Sequence, residues 1–192
     1  MSNWKVEEEQ ILPKGENPLG NPFYGYRKIG LLLPDGRQAT YHGLVVPECV
    51  HVVAVHDDET TFLVRQSRPN VMSVGATKVP ETLELPGGFR NPNKSLEDSA
   101  QEELEEEIGL HADIMIGAGS ILPSVGVSNE RDHIFLGREL TPTTQAASDE
   151  ATEQDMRIVS DKFGKLYDQI LREKLPVSAQ TVAALAKVAI LL

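Results

Sequence analysis

Cysteine is almost missing from this chain. The single Cys49 excludes an intrachain disulfide framework and a zinc site built from several thiolates; its expected place is as a small buried hydrophobe. Long apolar runs are missing too. No stretch approaches the ~20 residues needed to span a bilayer. The first ten residues are polar and acidic, unlike a secretory leader. Cations are scarce: 18 Lys and Arg stand against 29 Asp and Glu, for a net charge of −11. A general nucleic-acid binder needs basic patches to neutralise phosphates, and this balance has the opposite sign. The expected setting is cytoplasmic, with neither nucleic acid nor membrane as partner. The 192 residues suit one domain, or one domain with an extension, and 40% hydrophobic content supports a core.

The acid is concentrated. Between Glu97 and Glu107 there are seven acidic residues in eleven positions and no cation. Without that block the net charge falls from −11 to −4. So most of the excess sits on one short element.

Residues 1–20 are Pro-, Gly- and Asn-punctuated and read as an arm. From Tyr24 to Val46 the pattern predicts strands broken at Pro34-Asp35-Gly36, a hairpin signal. Val50 to Val55 and Thr61 to Gln66 are β-rich runs around Asp57-Asp58-Glu59, a second hairpin signal. Asn70 to Thr82 reads as a loop. Leu83-Glu84-Leu85 reads as a short strand entering a Gly loop at Pro86-Gly87-Gly88. Ser95 is an N-cap for the acidic helix, with Asp98 three residues on, and Gly109 is its stop. Ile114 to Ile116 and His133 to Leu140 predict strands. Pro142 to Asp155 is a polar loop of about 14 residues, long enough to suggest a functional one. Asp161 to Lys174 and Ser178 to Leu192 predict two closing helices. Few helices between the strands favour an α+β or α/β sandwich over a doubly wound sheet. We expect an arm with strands over 1–47, serving dimerisation, and a main domain over 48–192.

At about 100° per residue, Leu96, Ala100, Leu104 and Ile108 form one apolar arc. Glu102 and Glu105 point away from it, as solvated acids should. Glu103 and Glu107 do not. They stack at i and i+4 and fall about 20° either side of Leu96, at the edge of the arc that packs inward. Glu106 lies on the same side, further out. Turning two carboxylates toward a packed surface costs several kcal/mol unless something offsets their charge. The helix alone leaves two readings open: an overcharged solvent face, or a seat for a hard divalent cation.

The flanking residues bear on that choice. Gly88 to Leu110 reads GFRNPNKSLEDSAQEELEEEIGL, which resembles the signature box of the Nudix hydrolases. Gly88, Glu103, Leu104, Glu106, Glu107, Gly109 and Leu110 match that box at its spacing. Two positions depart: Lys94 stands where the family has Glu, and Glu102 where it has Arg. In the family these two form a charge pair at the loop–helix junction. With both signs reversed, a Lys94–Glu102 pair is expected.

The resemblance extends over roughly residues 21–192, to the ADP-ribose pyrophosphatase branch. It is carried by Asn21-Pro22-Phe23, Leu33 to Gly36, Val50 to Val55, Leu63 to Pro69, Glu84 to Gly88 and Pro123 to Glu130. Members selective for ADP-ribose commonly carry Pro where Val125 stands. The resemblance implies an α/β/α sandwich with a mixed sheet and an N-terminal β arm. It implies hydrolysis of a nucleoside diphosphate sugar, ADP-ribose first among candidates, by a homodimer using Mg²⁺, with Mn²⁺ as substitute. The alternative is a Nudix fold that binds such a ligand but turns it over poorly. By resemblance Glu103, Glu107 and the Gly87 carbonyl are metal ligands, and Glu106 supports them. Arg68 matches a phosphate-contacting Arg. Glu130 matches a Glu near the substrate, with a local pair to Arg131 as the other reading. Arg27 is a weaker substrate candidate. The base falls on the late acidic loop, where Glu150 and Glu153 are both candidates beside Asp149. Phe23, Tyr24 and Tyr26 either stack on a base or pack in the core or a dimer. His51, His56 and His133 have the strand contexts of structural histidines.

Overall fold

The computed structural model describes residues 4–13, 24–73, 76, 78–143, 155–172 and 177–192. They fall into two units, one of residues 1–48 with 122–131 and one of residues 49–121 with 132–192.

In the first unit, three strands form an antiparallel sheet in chain order: β1 (Lys5–Leu12), β2 (Gly25–Leu32) and β3 (Gln38–Val45). The Pro34-Asp35-Gly36 signal is the β2–β3 turn, where Gly36 takes φ 82° and Asp35 Oδ1 accepts the Arg37 N–H at 3.1 Å. The arm expected before residue 20 thus contributes a paired strand. Residues 127–129 lie beside the end of β3, with a parallel bridge between Leu44 and Ser128. Leu44 N–H donates to the Val127 carbonyl at 2.8 Å, and Val46 N–H to Asn129 Oδ1 at 2.8 Å. Gly43 permits that approach, since a Cβ there would sit 3.0 Å from the Val127 oxygen.

The second unit is built on β4 (Cys49–Ala54), whose near-continuous apolar run fits a strand covered on both faces. β5 (Thr60–Ser67) follows it. The chain turns at the Asp57-Asp58-Glu59 signal, but the expected hairpin shrinks to one bridge, Val55 to Thr61. Beyond that bridge β5 pairs instead with β6 (Glu81–Glu84). Next come β7 (Gly87–Phe89), α1 (Leu96–Ile108), β8 (Leu110–Ile121), β9 (Asp132–Pro142), β10 (Arg157–Lys162), α2 (Phe163–Arg172) and α3 (Ala179–Val188). Strand order is β7-β4-β9-β8 in one sheet and β10-β5-β6 in the other. β4 pairs parallel to β9 and antiparallel to β7, so the larger sheet is mixed.

Alternation along β4 feeds two cores. Val50, Val52 and Ala54 pack with Ala100, Leu104 and Ile108 of α1. Val53 and Val55 pack with Phe163, Leu166 and Ile170 of α2 and with Ala184, Leu185 and Val188 of α3. Helices therefore cover both sheet faces, the expected α/β/α layering. Two details differ from expectation. Pro86-Gly87-Gly88 does not stay a loop, because Gly87 to Phe89 pairs with β4. Residues 157–162 form a strand on β5, so α2 begins later, at Phe163. No described helix is long and apolar enough to cross a membrane.

Candidate active site

Helix α1 starts and stops where its sequence dictates. Ser95 Oγ accepts the Asp98 N–H at 2.9 Å, and Gly109 ends the helix at φ 73°, a left-handed cap that suits glycine. Leu104 and Ala100 are fully buried, which fixes the rotation of the helix on the sheet. That rotation carries Glu103 and Glu107 toward β7. A Cβ on Gly88 would lie 2.6–2.8 Å from the three carboxylate atoms of Glu103. Gly87 N–H donates to Glu107 Oε2 at 3.0 Å. Gly87 itself has no room for a side chain, since a Cβ would sit 2.2 Å from the Val50 oxygen and 2.6 Å from His51 Nδ1. The two glycines are small because carboxylates and a neighbouring strand occupy the space.

The electrostatics of this helix are unfavourable taken alone. Glu105, Glu106 and Glu107 crowd its last turn, where the macrodipole favours cations, and no basic residue stands there. Glu105 and Glu102 are met by polar side chains nearby. Glu105 accepts from Gln101 Nε2 at 2.9 Å and contacts His111 Nδ1 at 2.6 Å. Glu102 meets Lys94 Nζ at 2.7 Å. The expected reversed pair at the loop–helix junction is therefore formed. The Glu102 bond, aided by the fields of Glu102, Asp98 and Glu106, holds the Lys94 ammonium above its ordinary value. Glu106 is half-buried.

Arg68, just past β5, makes a two-pronged pair with Glu84 of β6: Nε to Oε1 at 2.7 Å and Nη2 to Oε2 at 2.6 Å. Thr82 Oγ1 also donates to Glu84 Oε1. Burial pushes the Glu84 carboxyl up, but the bonds from Arg68 and Thr82 outweigh it and hold it below the usual range. Sequence reasoning missed Glu84 as the partner of Arg68, and Thr82 as a further donor to Glu84. The β5–β6 register sets Val64 opposite Glu84, and no local signal in the chain announces that pairing.

His51 of β4 stands opposite Gly87 across the β4–β7 ladder. Its Nε2 lies 3.4 Å from a carboxylate oxygen of Asp132, a fully buried residue of β9. Arg68, Thr82, Glu84, His51 and the first turn of α3 border a cavity of about 410 Å³.

The remaining described candidates belong to the first unit. Arg27 is on β2 in the first unit, paired with Glu9 at 2.5 Å. Tyr24 is half-buried just before β2. Tyr26 stacks on His42 at 5.8 Å between ring centroids. Glu130 belongs to the segment beside β3, its N–H 3.4 Å from Ser128 Oγ. Phe23, Asp149, Glu150 and Glu153 lie outside the described residues.

The NUDIX domain family model matches residues 47–160, more than half of the chain. The chain belongs to the Nudix family. Its Nudix helix is α1, and β7 with the following loop is the Gly-led entry to it. The chain is similar to the ADP-ribose pyrophosphatase of Bacillus subtilis (strain 168), at 26% identity over 143 residues, covering 74% of this chain and 69% of that protein. A crystal structure of an ADP compounds hydrolase superposes with a TM-score of 0.78 at 18% identity, covering 98% of this chain and 93% of that one. That likeness places the Nudix fold across nearly the whole chain.

Proposed function

We propose that this Nudix protein is a pyrophosphohydrolase that cleaves a nucleoside diphosphate sugar, ADP-ribose first, into nucleoside monophosphate and sugar phosphate. One observation carries the reading: Glu103 and Glu107 converge on the backbone of Gly88 and Gly87. Carboxylates brought onto one short backbone stretch form a donor set of hard oxygens, which Mg²⁺ prefers and Mn²⁺ also accepts. Glu103, Glu107 and the Gly87 carbonyl would hold the ion. Bound there, it would offset phosphate charge and lower the pKa of a bound water. The net charge of −11 is then compatible with an anionic substrate, because cations mediate the approach.

The protein's own groups supply position. Arg68, oriented by Glu84, takes the pyrophosphate. Glu106 supports the ligands from the same helix face, and Glu150 or Glu153 acts as base. Glu130, Arg27 and Tyr24 serve the nucleoside side. Trp4, Val6 and Ile11 of the N-terminal strand region are exposed apolar residues, which favours a homodimer. Light scattering at twice the 21.1 kDa chain mass would support the dimer, and the monomer mass would refute it. A cytoplasmic enzyme fits the lone cysteine.

A second reading, a binding module with weak turnover, draws on the reversed Lys94–Glu102 pair. The test is a screen of nucleoside diphosphate sugars and dinucleotides with Mg²⁺, run beside Glu107→Gln. Monophosphate plus sugar phosphate from one substrate, lost in the variant, supports the enzyme. Thermal stabilisation by a ligand without turnover supports the binding module.

A further inference from the structure

Strands β4 and β9 run parallel, and one face of both packs on α2 and α3. On β4 that face carries Val55, Val53, His51 and Cys49, two residues apart; on β9 it carries Leu136, Ile134 and Asp132. Toward the start of both strands its chemistry changes. Aliphatic side chains give way to a thiol, an imidazole and a carboxylate. The change falls at the same level on both strands, because the register sets Cys49 opposite Asp132.

The three side chains are enclosed. Asp132 is fully buried, Cys49 is buried, and His51 is nearly so. A buried carboxylate needs donors or a cation in place of its lost hydration. Neither oxygen of Asp132 has a hydrogen bond among the described residues. His51 Nε2 approaches one of them at 3.4 Å, beyond the roughly 2.7–3.2 Å of an N–H···O bond. The distance fits another arrangement. Two donors each about 2.0–2.1 Å from one tetrahedral ion stand about 3.3–3.4 Å apart. Cys49 Sγ and an Asp132 oxygen lie within 4.8 Å of one another, so a modest side-chain shift puts both on one ion.

Charge and donor type say which ion. A thiolate and a carboxylate carry two negative charges, and a neutral imidazole adds none. A dication between them leaves the buried cluster neutral. One sulfur, one nitrogen and one oxygen donor suit Zn²⁺, whereas Mg²⁺ takes oxygen ligands. Three protein ligands leave a fourth position. His51 also lines the cavity of about 410 Å³, from which water can reach that position.

We infer that Cys49, His51 and Asp132 bind a zinc-class dication, at a site distinct from the acids of α1. The inference stands apart from the pyrophosphohydrolase reading, because it uses none of the residues assigned to that reaction. The test uses the whole chain, stripped with a chelator, and Co²⁺ as the probe, since a thiolate on Co²⁺ gives a near-ultraviolet charge-transfer band. The wild type and the Glu103→Gln, Glu107→Gln double variant are both expected to show the band at one ion per chain. Added Zn²⁺ should abolish it by displacement. Cys49→Ser should remove it, and Asp132→Asn and His51→Gln should weaken Co²⁺ binding by at least roughly tenfold. Melting curves identify which variants fold, and Zn²⁺ should raise the melting temperature of the wild type more than that of Cys49→Ser. A wild type without the band would overturn the inference. So would a band that survives Cys49→Ser, or an affinity unmoved in whichever of Asp132→Asn and His51→Gln folds. Co²⁺ binding lost in the glutamate double variant would place the ion on α1 and overturn it as well.

Discussion

Helices α1 and α2 handle their acids in opposite ways. α2 buries Phe163, Leu166 and Ile170 and keeps its charges on its own surface, where Arg172 meets Asp168 at 2.6 Å across one turn. Lys165 likewise meets Asp161, just before the helix. Each acid there has a cation four residues away, the usual economy of a solvated helix face. α1 contains no Lys or Arg, and it turns Glu103 and Glu107 across to the glycine backbone of β7. A helix that only packs spends its charges locally. On the proposed metal-site reading, α1 aims its acids at a place where a cation completes the site. The lesson is that the direction of an acid is more informative than the number of acids.

Removing an aimed acid should have the largest effect. Glu107→Gln is expected to lower kcat/KM by at least about 100-fold with little change in melting temperature, since several kcal/mol of charge stabilisation goes with the ion. Steady-state kinetics beside a thermal melt checks it. Gly88→Ala is expected to be nearly as harmful, because its Cβ would fall 2.6–2.8 Å from the Glu103 carboxylate. Displacing that group by about 1 Å should cost up to about 100-fold in activity.

A smaller effect concerns Glu84, an acid that is aimed but paired. Its carboxyl is lower in the folded protein than in the unfolded chain, so its stabilising contribution is full at neutral pH. The contribution is lost as pH falls through the folded-state value. Glu84→Gln should therefore melt below the wild type at pH 7, and the gap should close on acidification below the usual carboxylate range. Melting curves across pH 7 to about 3 would show it; a gap constant with pH would contradict it.

At the loop end of α1 the reversed junction pair gives a smaller effect. Lys94→Glu should destabilise the loop, and adding Glu102→Arg should restore it. The coupling is small, as for other exposed pairs, and a double-mutant cycle without coupling would refute the pairing. The smallest effect is expected on α2. Arg172→Ala should shift the melting temperature by no more than about 2 °C and leave turnover alone, because Arg172 and Asp168 are both exposed.

Much of this was legible in the chain. α1 is announced by its Ser95 cap, its Gly109 stop and its apolar arc, and the inward tilt of Glu103 and Glu107 follows from the helical period alone. Non-local pairings were not legible. Pro-Gly-Gly reads as a turn, yet β4 offers Gly87 to Phe89 a free edge, and the extended pairing wins. Arg157 to Lys162 is short and runs straight into α2, so only its β5 partner reveals it as a strand. The Arg68–Glu84 pair and the cavity at α3 depend on register and on a helix docked about a hundred residues downstream of β6. Sequence periodicity carries no information at that range.

The inward acids of α1 are proposed to seat a divalent cation. Titrating Mn²⁺ calorimetrically into the wild type and into the Glu103→Gln, Glu107→Gln double variant tests it most directly. A binding isotherm is expected for the wild type, with a rise in its melting temperature on adding the ion, and both are expected to be lost in the variant. Equal binding by both proteins would contradict it.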